Sequence, residues 1–281
     1  MKNKKGNNYQ MKIDLKKSRA FKNFLFQEGR LLERKIYSVI FENEPESSFL
    51  KILKVYQNSD NGFGNGIEPD LLTPSSTGIG AETALCLLDM MDFSINSMIQ
   101  EIATWVCHHI NKTGILPYPP KDLMEYPHQP WWENPDDDRI LTVSGLLSKF
   151  KEINSKVELK INHYVRTKEL PKKIEMYNYP LFVYALYHKD FKDREKILNH
   201  FVNLIPDFIV NNKKHHPLFS RYWYHAIPLL PQKLIDESAD CLINNIQEDG
   251  GIENPYPQLP WWRPIFTLDA FLLLKKYNYL K

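Results

Sequence analysis

The sequence predicts an all-α protein in which about six helix pairs close into an α/α toroid. Apolar residues recur every three or four positions along most of the chain, and alternating strand patterns are scarce. Polar glycine turns followed by proline-rich or aromatic loops also return between successive helices. Arrays of helix pairs stack into an open solenoid or close into a ring. We favour closure because the loops are long and uneven and all follow the same helix end.

Helical periodicity predicts a helix in each of eleven segments. Within residues 95–110, for example, the apolar positions form a single stripe. The predicted helices, in chain order, are 18–42 with a break near Gly29, 47–57, 77–91, 95–110, 139–151, 158–169, 176–188, 192–211, 217–228, 232–246 and 266–279. Thr77, Thr142 and Thr267 stand near helix starts and are predicted to be N-caps.

The composition is that of an ordinary globular chain. Hydrophobic residues make up 43% and charged residues 25% of the 281 residues, which is enough to bury a substantial core. Residues 1–17 hold six lysines, and no apolar segment of the signal-peptide kind follows them. We therefore predict a basic flexible tail at 1–17 and a single α/α-toroid domain at 18–281.

Charge and cysteine content limit the classes of partner. Thirty-six Lys and Arg residues against 34 Asp and Glu give a formal net charge of +2, so no overall field attracts nucleic acid. No run approaches the roughly 18 apolar residues of a membrane span. Cys86, Cys107 and Cys241 form no C-x-x-C pair and are interpreted as reduced thiols, which predicts a cytoplasmic protein.

A repeated turn links the chain to a known family. The stretch "QNSDNGFG" from Gln57 resembles the glutamine, aspartate, glycine and aromatic turn of the prenyltransferase and squalene oxidase repeat, found in terpenoid cyclases and protein prenyltransferase β subunits. The stretch "QEDGGI" from Gln247 is one residue shorter and has Ile252 in place of the aromatic residue. In that family the turn braces successive helix pairs, so the resemblance implies the toroid but no particular reaction. Members with several domains are much longer, which leaves a partner subunit or a homo-oligomer open.

The resemblance also implies where chemistry would lie. For prenyl transfer it implies a zinc site with an Asp-x-Cys pair, but Asp240 and Cys241 are adjacent here, so we predict no metal and no cofactor. For acid-initiated cyclisation it implies an Asp-x-Asp-Asp motif. The nearest stretch is "NPDD" at 134–137, in which Asp136 would be the acid and Asp137 its neighbour, followed by Asp138.

Two aromatic loops form the candidate substrate site. The loops are "EYPHQPWWENPDDDR" at 125–139 and "PYPQLPWWRP" at 255–264. Tyr126 and Tyr256 are 130 residues apart, about half of a six-pair ring, so we expect the loops to face each other across its axis. The predicted substrate-binding residues are Trp131, Trp132, Trp261, Trp262, Tyr222, Trp223, Tyr224, Arg221 and Arg263. Their rings suit apolar chains, carbocations or sugars, and they serve equally well as core that plugs the ring.

The predicted catalytic residues are acids with a nearby histidine. Asp136, Asp137 and Asp138 precede a predicted helix, where carboxylates also cap free N–H groups. If the three share a dry cavity, one keeps its proton near neutral pH and becomes a general acid. Glu133 and His128 are placed to assist.

Three functions remain open at the level of sequence. The first is a terpenoid-cyclase-like enzyme that uses acid chemistry on an apolar isoprenoid in an aromatic-lined cavity. The second is a carbohydrate-active or sugar-binding toroid in which Glu133, Asp137 and Glu253 flank a glycosidic bond. The third is a toroid without catalytic activity that binds a ligand or a partner. In each, the expected partner is an apolar or aromatic-stacking small molecule.

Overall fold

The chain is all-α. A computed structural model of the protein describes residues 15–93 and 97–280, with side chains from residue 18 onward. The α-helices in this range are α1 (Leu15–Glu28), α2 (Leu31–Glu42), α3 (Glu46–Leu53), α4 (Gly78–Met90), α5 (Ser97–His109), α6 (Arg139–Lys149), α7 (Ser155–Val165), α8 (Tyr179–Tyr187), α9 (Arg194–Asn211), α10 (Gln232–Asn244) and α11 (Trp262–Lys276). The same residues contain short 3₁₀ segments and no β-strand.

Most predicted helices form within a few residues of their expected bounds. The predicted break near Gly29 separates α1 from α2. Residues 1–14 of the predicted tail and residues 95–96 of the fourth predicted helix lie outside the described residues. Helix α1 begins at Leu15, within the last three residues of the predicted tail.

The helix predicted at 217–228 is wrong. Two 3₁₀ segments, Pro217–Phe219 and Tyr224–Leu229, occupy this range instead. Pro217 follows His216, which has a φ of 44°, and Pro228 lies within the second segment. A proline has no backbone N–H and clashes with the preceding turn of an α-helix, so the aromatic residues between the prolines are held in tight turns.

Only one of the three threonines caps a helix as predicted. The Oγ1 of Thr77 accepts the backbone N–H of Gly80 at 3.1 Å, at the start of α4. Thr142 and Thr267 lie inside α6 and α11 because these helices begin earlier than expected. The Oγ1 of Thr267 instead accepts the backbone N–H of Ile252 at 3.1 Å, which ties the preceding loop to α11.

The inner helices have no solvent-facing stripe. Every residue of α4 is buried, and α4 packs on α6, which packs on α8. A helix that is apolar all round is expected in the interior. Thus α4, α6 and α8 form the inner layer of the fold, with α9 packed against α8.

The two ends of the described chain are in contact. Helix α11 packs against α1, α2 and α4. The rings of Phe21 and Phe271 stack with centroids 3.6 Å apart, and the Nζ of Lys275 donates to the carbonyl of Ile40 at 2.6 Å. The last helix therefore completes the core that the first helices begin.

The two motif turns have the same local geometry. An isolated antiparallel bridge joins Gln57 to Phe63, and another joins Ile246 to Ile252. In each turn an aspartate side chain accepts the backbone N–H two residues later, at 2.9 Å for Asp60 and 3.0 Å for Asp249. The shared turn sets the direction of the long loop that follows it in both places.

A substitution at Gly250 tests the packing of α1 against the second motif turn. It has a φ of 92°, and a Cβ there would lie 2.2 Å from the backbone of Ala20 and Phe21. Gly66 also has a positive φ, 70°, but its Cβ would meet only the side chain of Leu72 at 3.1 Å within close range. Both Gly→Ala changes incur about 1–2 kcal/mol for the left-handed backbone. We expect Gly250→Ala to lower the free energy of unfolding by at least about 2 kcal/mol more, because backbone must move.

Urea denaturation of Gly250→Ala and Gly66→Ala measures this difference. Equal losses in the two variants would contradict the close packing of α1 on the second motif turn.

Candidate functional site

A cavity of about 450 Å³ lies where the loops that precede α4, α6, α8 and α11 meet. Eight of its seventeen lining residues are aromatic, and three carry carboxyl groups. The residues that line it are Glu68, Asp70, Ile79, Trp131, Trp132, Asn134, Pro135, Asp136, Arg139, Tyr177, Tyr179, Tyr222, Tyr256, Gln258, Leu259, Trp262 and Phe266. Its size and lining are typical of a small-molecule site.

The second tryptophans of the two predicted pairs donate hydrogen bonds to the same carboxylate, that of Asp70. The indole N–H of Trp132 donates to Oδ1 of Asp70 at 3.0 Å, and that of Trp262 donates to Oδ2 at 3.1 Å. Both rings are buried, and Asp70 is only 5% exposed. The two aromatic loops, which the sequence predicted to face each other across the axis of a ring, therefore lie together at one aspartate that sequence reasoning did not select.

The first tryptophan of each pair lies further out. Trp131 lines the cavity and is 44% exposed, whereas Trp261 is 39% exposed and does not line it. Adjacent residues in a tight turn point in different directions, so only one member of each pair is buried.

The aromatic residues at 222–224 separate in the same way. Tyr222 lines the cavity, while Trp223 is buried against Phe182 and Phe208, with its N–H donated to the carbonyl of Met176 at 2.8 Å. The hydroxyl of Tyr224 donates to Asp89, at the far end of α4. Trp223 and Tyr224 are thus part of the core and not of the cavity wall.

Three tyrosines and a phenylalanine were missed as wall residues. Tyr177 comes from the loop before α8 and Tyr179 is the first residue of α8, whereas Tyr256 and Phe266 come from the second aromatic loop and α11. The hydroxyls of Tyr177 and Tyr256 are 3.1 Å apart, which joins the two loops at the cavity wall. Proximity of Tyr256 to the tryptophan pair was a usable sequence signal, whereas nothing local marks Tyr177.

Of the three consecutive aspartates, only Asp136 lines the cavity. Its carboxylate forms a bidentate ion pair with Arg139, at 2.9 and 3.1 Å. Asp138 is exposed and accepts from the hydroxyl of Tyr164 at 2.7 Å and from Lys168 at 2.6 Å. Asp137 is partly exposed and is not part of the lining. The expected group of three acids in one dry space is therefore not formed.

The predicted helper residues also lie outside the lining. The side chain of Glu133 is 52% exposed, with Oε1 3.5 Å from Nε2 of His128. The Nδ1 of His128 is 2.8 Å from the carbonyl of Tyr126. Glu253, one of the acids proposed for sugar chemistry, is exposed.

The two predicted anion-binding arginines are already paired. Arg221 is buried and donates to both carboxylate oxygens of Asp269, at 2.7 and 3.0 Å. Arg263 donates to both oxygens of Asp249 at 2.6 and 2.8 Å, and to the carbonyl of Ile252. Neither lines the cavity, so both arginines hold structure together.

Glu68 is the acid with the most perturbed environment in the cavity wall. It is 4% exposed and accepts a hydrogen bond from the hydroxyl of Thr83. Burial raises the pKa of Glu68 from 4.5 to about 7, and the charge of Asp70 adds to the effect. Arg221, whose Nη1 is 3.8 Å away, and the Thr83 hydroxyl oppose the shift without cancelling it.

The pKa of Asp70 is set by a different combination of effects. Burial raises its pKa as well, but the indole N–H groups of Trp132 and Trp262 stabilise the ionised form and limit the shift. Glu68 and Asp70 belong to the loop segment "GIEPDLL", two residues apart around a proline. Such a segment reads as an ordinary surface loop, and only its burial by distant loops makes it a candidate site.

A further carboxyl group, that of Glu82, lies behind the cavity wall. Glu82 of α4 is buried and accepts from Nη1 of Arg139 at 2.9 Å and from the hydroxyl of Tyr179. Burial raises the pKa of Glu82, and Arg139 opposes this shift. Arg139 is therefore shared between Glu82 and Asp136.

Comparison with family models, with curated proteins and with solved structures found no match to this chain. Within the described residues, no helix is long and apolar enough to cross a membrane. In the same part of the chain, no three or more His, Cys, Asp or Glu residues are grouped so that they could hold a metal ion.

Glu68 makes the stability depend on pH. Because its pKa is raised on folding, the folded chain binds the proton more tightly than the unfolded chain. The stabilisation is complete below pH 4.5 and is lost as the pH rises to about 7. Between pH 5 and 8, the free energy of unfolding of the wild type should fall by about 2–3 kcal/mol relative to Glu68→Gln.

Chemical denaturation of both proteins at a series of pH values measures this difference. Glu133→Gln makes the same chemical change at an exposed position and should follow the wild type. A Glu68→Gln curve parallel to that of the wild type would show that Glu68 titrates normally.

Proposed function

We propose that the protein is an enzyme that protonates an apolar unsaturated chain of the isoprenoid class and rearranges it, on an α/α-toroid scaffold like that of terpenoid cyclases. The observation that carries this proposal is a buried carboxyl group, Glu68, in the wall of an aromatic cavity. With its pKa near 7, this group carries a transferable proton at neutral pH.

The scaffold part of the proposal rests on two features. The turns at Gln57 and Gln247, which resemble the family repeat, share their bridge and their aspartate bond. The last helix, α11, also packs on α1 and α2. Contact between the two ends of a helical array is what a closed ring requires.

The proposed reaction is an isomerisation, so substrate and product have the same atomic composition. The O–H bond of Glu68 breaks as a C–H bond forms at one alkene carbon, and the π electrons of the alkene make that bond. The resulting carbocation is attacked by a second double bond or shifts within the chain. Loss of a neighbouring proton to the Glu68 carboxylate then restores both the acid and a double bond.

The wall residues would stabilise the cation. Aromatic rings near a cation contribute roughly 0.5–2 kcal/mol each. The carboxylate of Asp70, held by Trp132 and Trp262, adds a negative charge that needs no reorganisation during the reaction.

Glu68 is a better proton donor than Asp136, the acid implied by the resemblance. Both carboxylate oxygens of Asp136 already accept hydrogen bonds from the guanidinium group of Arg139. Glu68 accepts from a neutral hydroxyl and has its nearest arginine at 3.8 Å. Asp136 would instead orient Arg139 at the cavity wall.

Sugar chemistry has less support. The three carboxyl groups considered for it, Glu133, Asp137 and Glu253, are not part of the cavity lining. A glycosidase needs two carboxyl groups on opposite sides of the scissile bond. No feature of the cavity favours this alternative specifically.

The proposal is tested by incubation with linear isoprenoids. Farnesol, geranylgeraniol and squalene would be supplied in detergent at pH 6–7, and products of unchanged mass and altered retention detected by gas chromatography and mass spectrometry. We expect Glu68→Gln to lower the rate by about 10²- to 10⁴-fold, as for loss of a general acid.

Two further variants make the outcome specific. Glu133→Gln should retain the rate of the wild type. A larger loss in Asp136→Asn than in Glu68→Gln would transfer the role of acid to Asp136. Conversion at the wild-type rate by Glu68→Gln would rule out the proposed chemistry.

A further inference from the structure

The carboxylate of Asp70 is buried in the cavity wall without a cationic partner. Its two oxygens accept from Trp132 and Trp262, which are neutral donors. Among the described residues, no Lys, Arg or His forms an ion pair with it. A buried charge is normally paired, because removing it from water is costly. Asp70 therefore lacks the positive charge that such a position calls for.

Around the cavity, carboxyl groups also outnumber cationic side chains. The two arginines nearest to it are already committed, Arg221 to Asp269 and Arg139 to both Glu82 and Asp136. With Glu68 and Asp70, five carboxyl groups share two guanidinium groups. The protein itself thus leaves an excess of negative charge around an open cavity.

The shape and lining of the space indicate which cation would fit. Eight of the seventeen lining residues are aromatic, among them Trp132, Tyr222, Trp262 and Phe266. A small metal ion needs several oxygen ligands at short range. An ammonium ion that carries methyl or alkyl groups instead gains from aromatic surfaces and from one nearby carboxylate.

We propose that this cavity binds an organic ammonium ion of the choline type, with the cationic head against Asp70 and the aromatic wall. Ligands of the same shape without charge bind less tightly, because they leave the Asp70 carboxylate unpaired in a water-poor site. Phosphate and diphosphate groups are disfavoured there by repulsion from Asp70 and Asp136. Binding of such a cation does not require that Glu68 act as a catalytic acid.

Calorimetric titration with choline and with 3,3-dimethyl-1-butanol, its neutral isostere, is the direct test. We expect choline to bind the wild type at least tenfold more tightly than the alcohol. Asp70→Asn should lose this preference and bind the two alike. Asp92→Asn, a matched change at an exposed position outside the cavity lining, should keep it.

A proton measurement adds a second readout. Glu68 lies near Arg221, Asp70, Thr83, Tyr177, Tyr222 and, further off, Arg30. Because its pKa is about 7, a new charge in the cavity changes its protonation near neutral pH. A bound cation favours the ionised form of Glu68. Choline binding at pH 7 should release a fraction of a proton, seen as a heat that varies with the ionisation enthalpy of the buffer. Glu68→Gln should bind choline without this release.

The results of these titrations test the ammonium site independently of the proposed isoprenoid chemistry. Absence of choline binding to the wild type at 10 mM, or equal affinity for choline and the alcohol, overturns the ammonium site whatever the isoprenoid assay shows. If Asp70→Asn does not fold, the comparison of the two ligands on the wild type still decides. Phosphatidylcholine vesicles form a last arm: competition between vesicles and choline assigns a lipid headgroup, and choline binding without competition assigns a free ligand.

Discussion

Asp70 accepts the indole N–H groups of Trp132 and Trp262, and this pair of hydrogen bonds connects the two aromatic loops. Neither indole could be buried so fully without an acceptor for its N–H. The two donors, in turn, offset part of the effect of burial, which raises the pKa of this carboxyl group. Loss of either partner would leave the other with an unsatisfied polar group, so the cavity wall and the joining of the loops depend on the same three residues.

The helices determine where this junction forms. Thr77 caps α4 immediately after the loop that holds Glu68 and Asp70, and α11 begins at Trp262 itself. The first and second motif turns direct the loops of Asp70 and Trp262 from equivalent helix ends. Packing of α11 on α1 and α2 then brings the late loop to the early one. The cavity is the space these loops enclose above the buried helices α4 and α6.

The charges around the cavity give it its chemical character. Arg139 in the wall and Arg221 next to Glu68 are both held by carboxylates, so an incoming anion cannot easily recruit either arginine. Burial raises the pKa of Glu68 to about 7, which favours its protonated form, while the carboxyl group of Asp70 accepts two indole N–H groups among aromatic rings. A protonated acid beside a stabilised anion suits a reaction that passes through a cation, and it suits a cationic ligand for the same electrostatic reason.

The sequence by itself determined the all-α fold and nearly all helix positions, because helical periodicity and repeated turn motifs are local patterns. It failed at 217–229, where prolines override the periodicity, and it chose Asp136, Asp137 and Asp138 because adjacent acids are conspicuous in a chain. Tertiary structure alone decided which acids matter. Glu68 and Asp70 look like surface residues until loops distant in sequence cover them, and burial, which raises their pKa values, is a property of the packed chain and not of the segment that carries them.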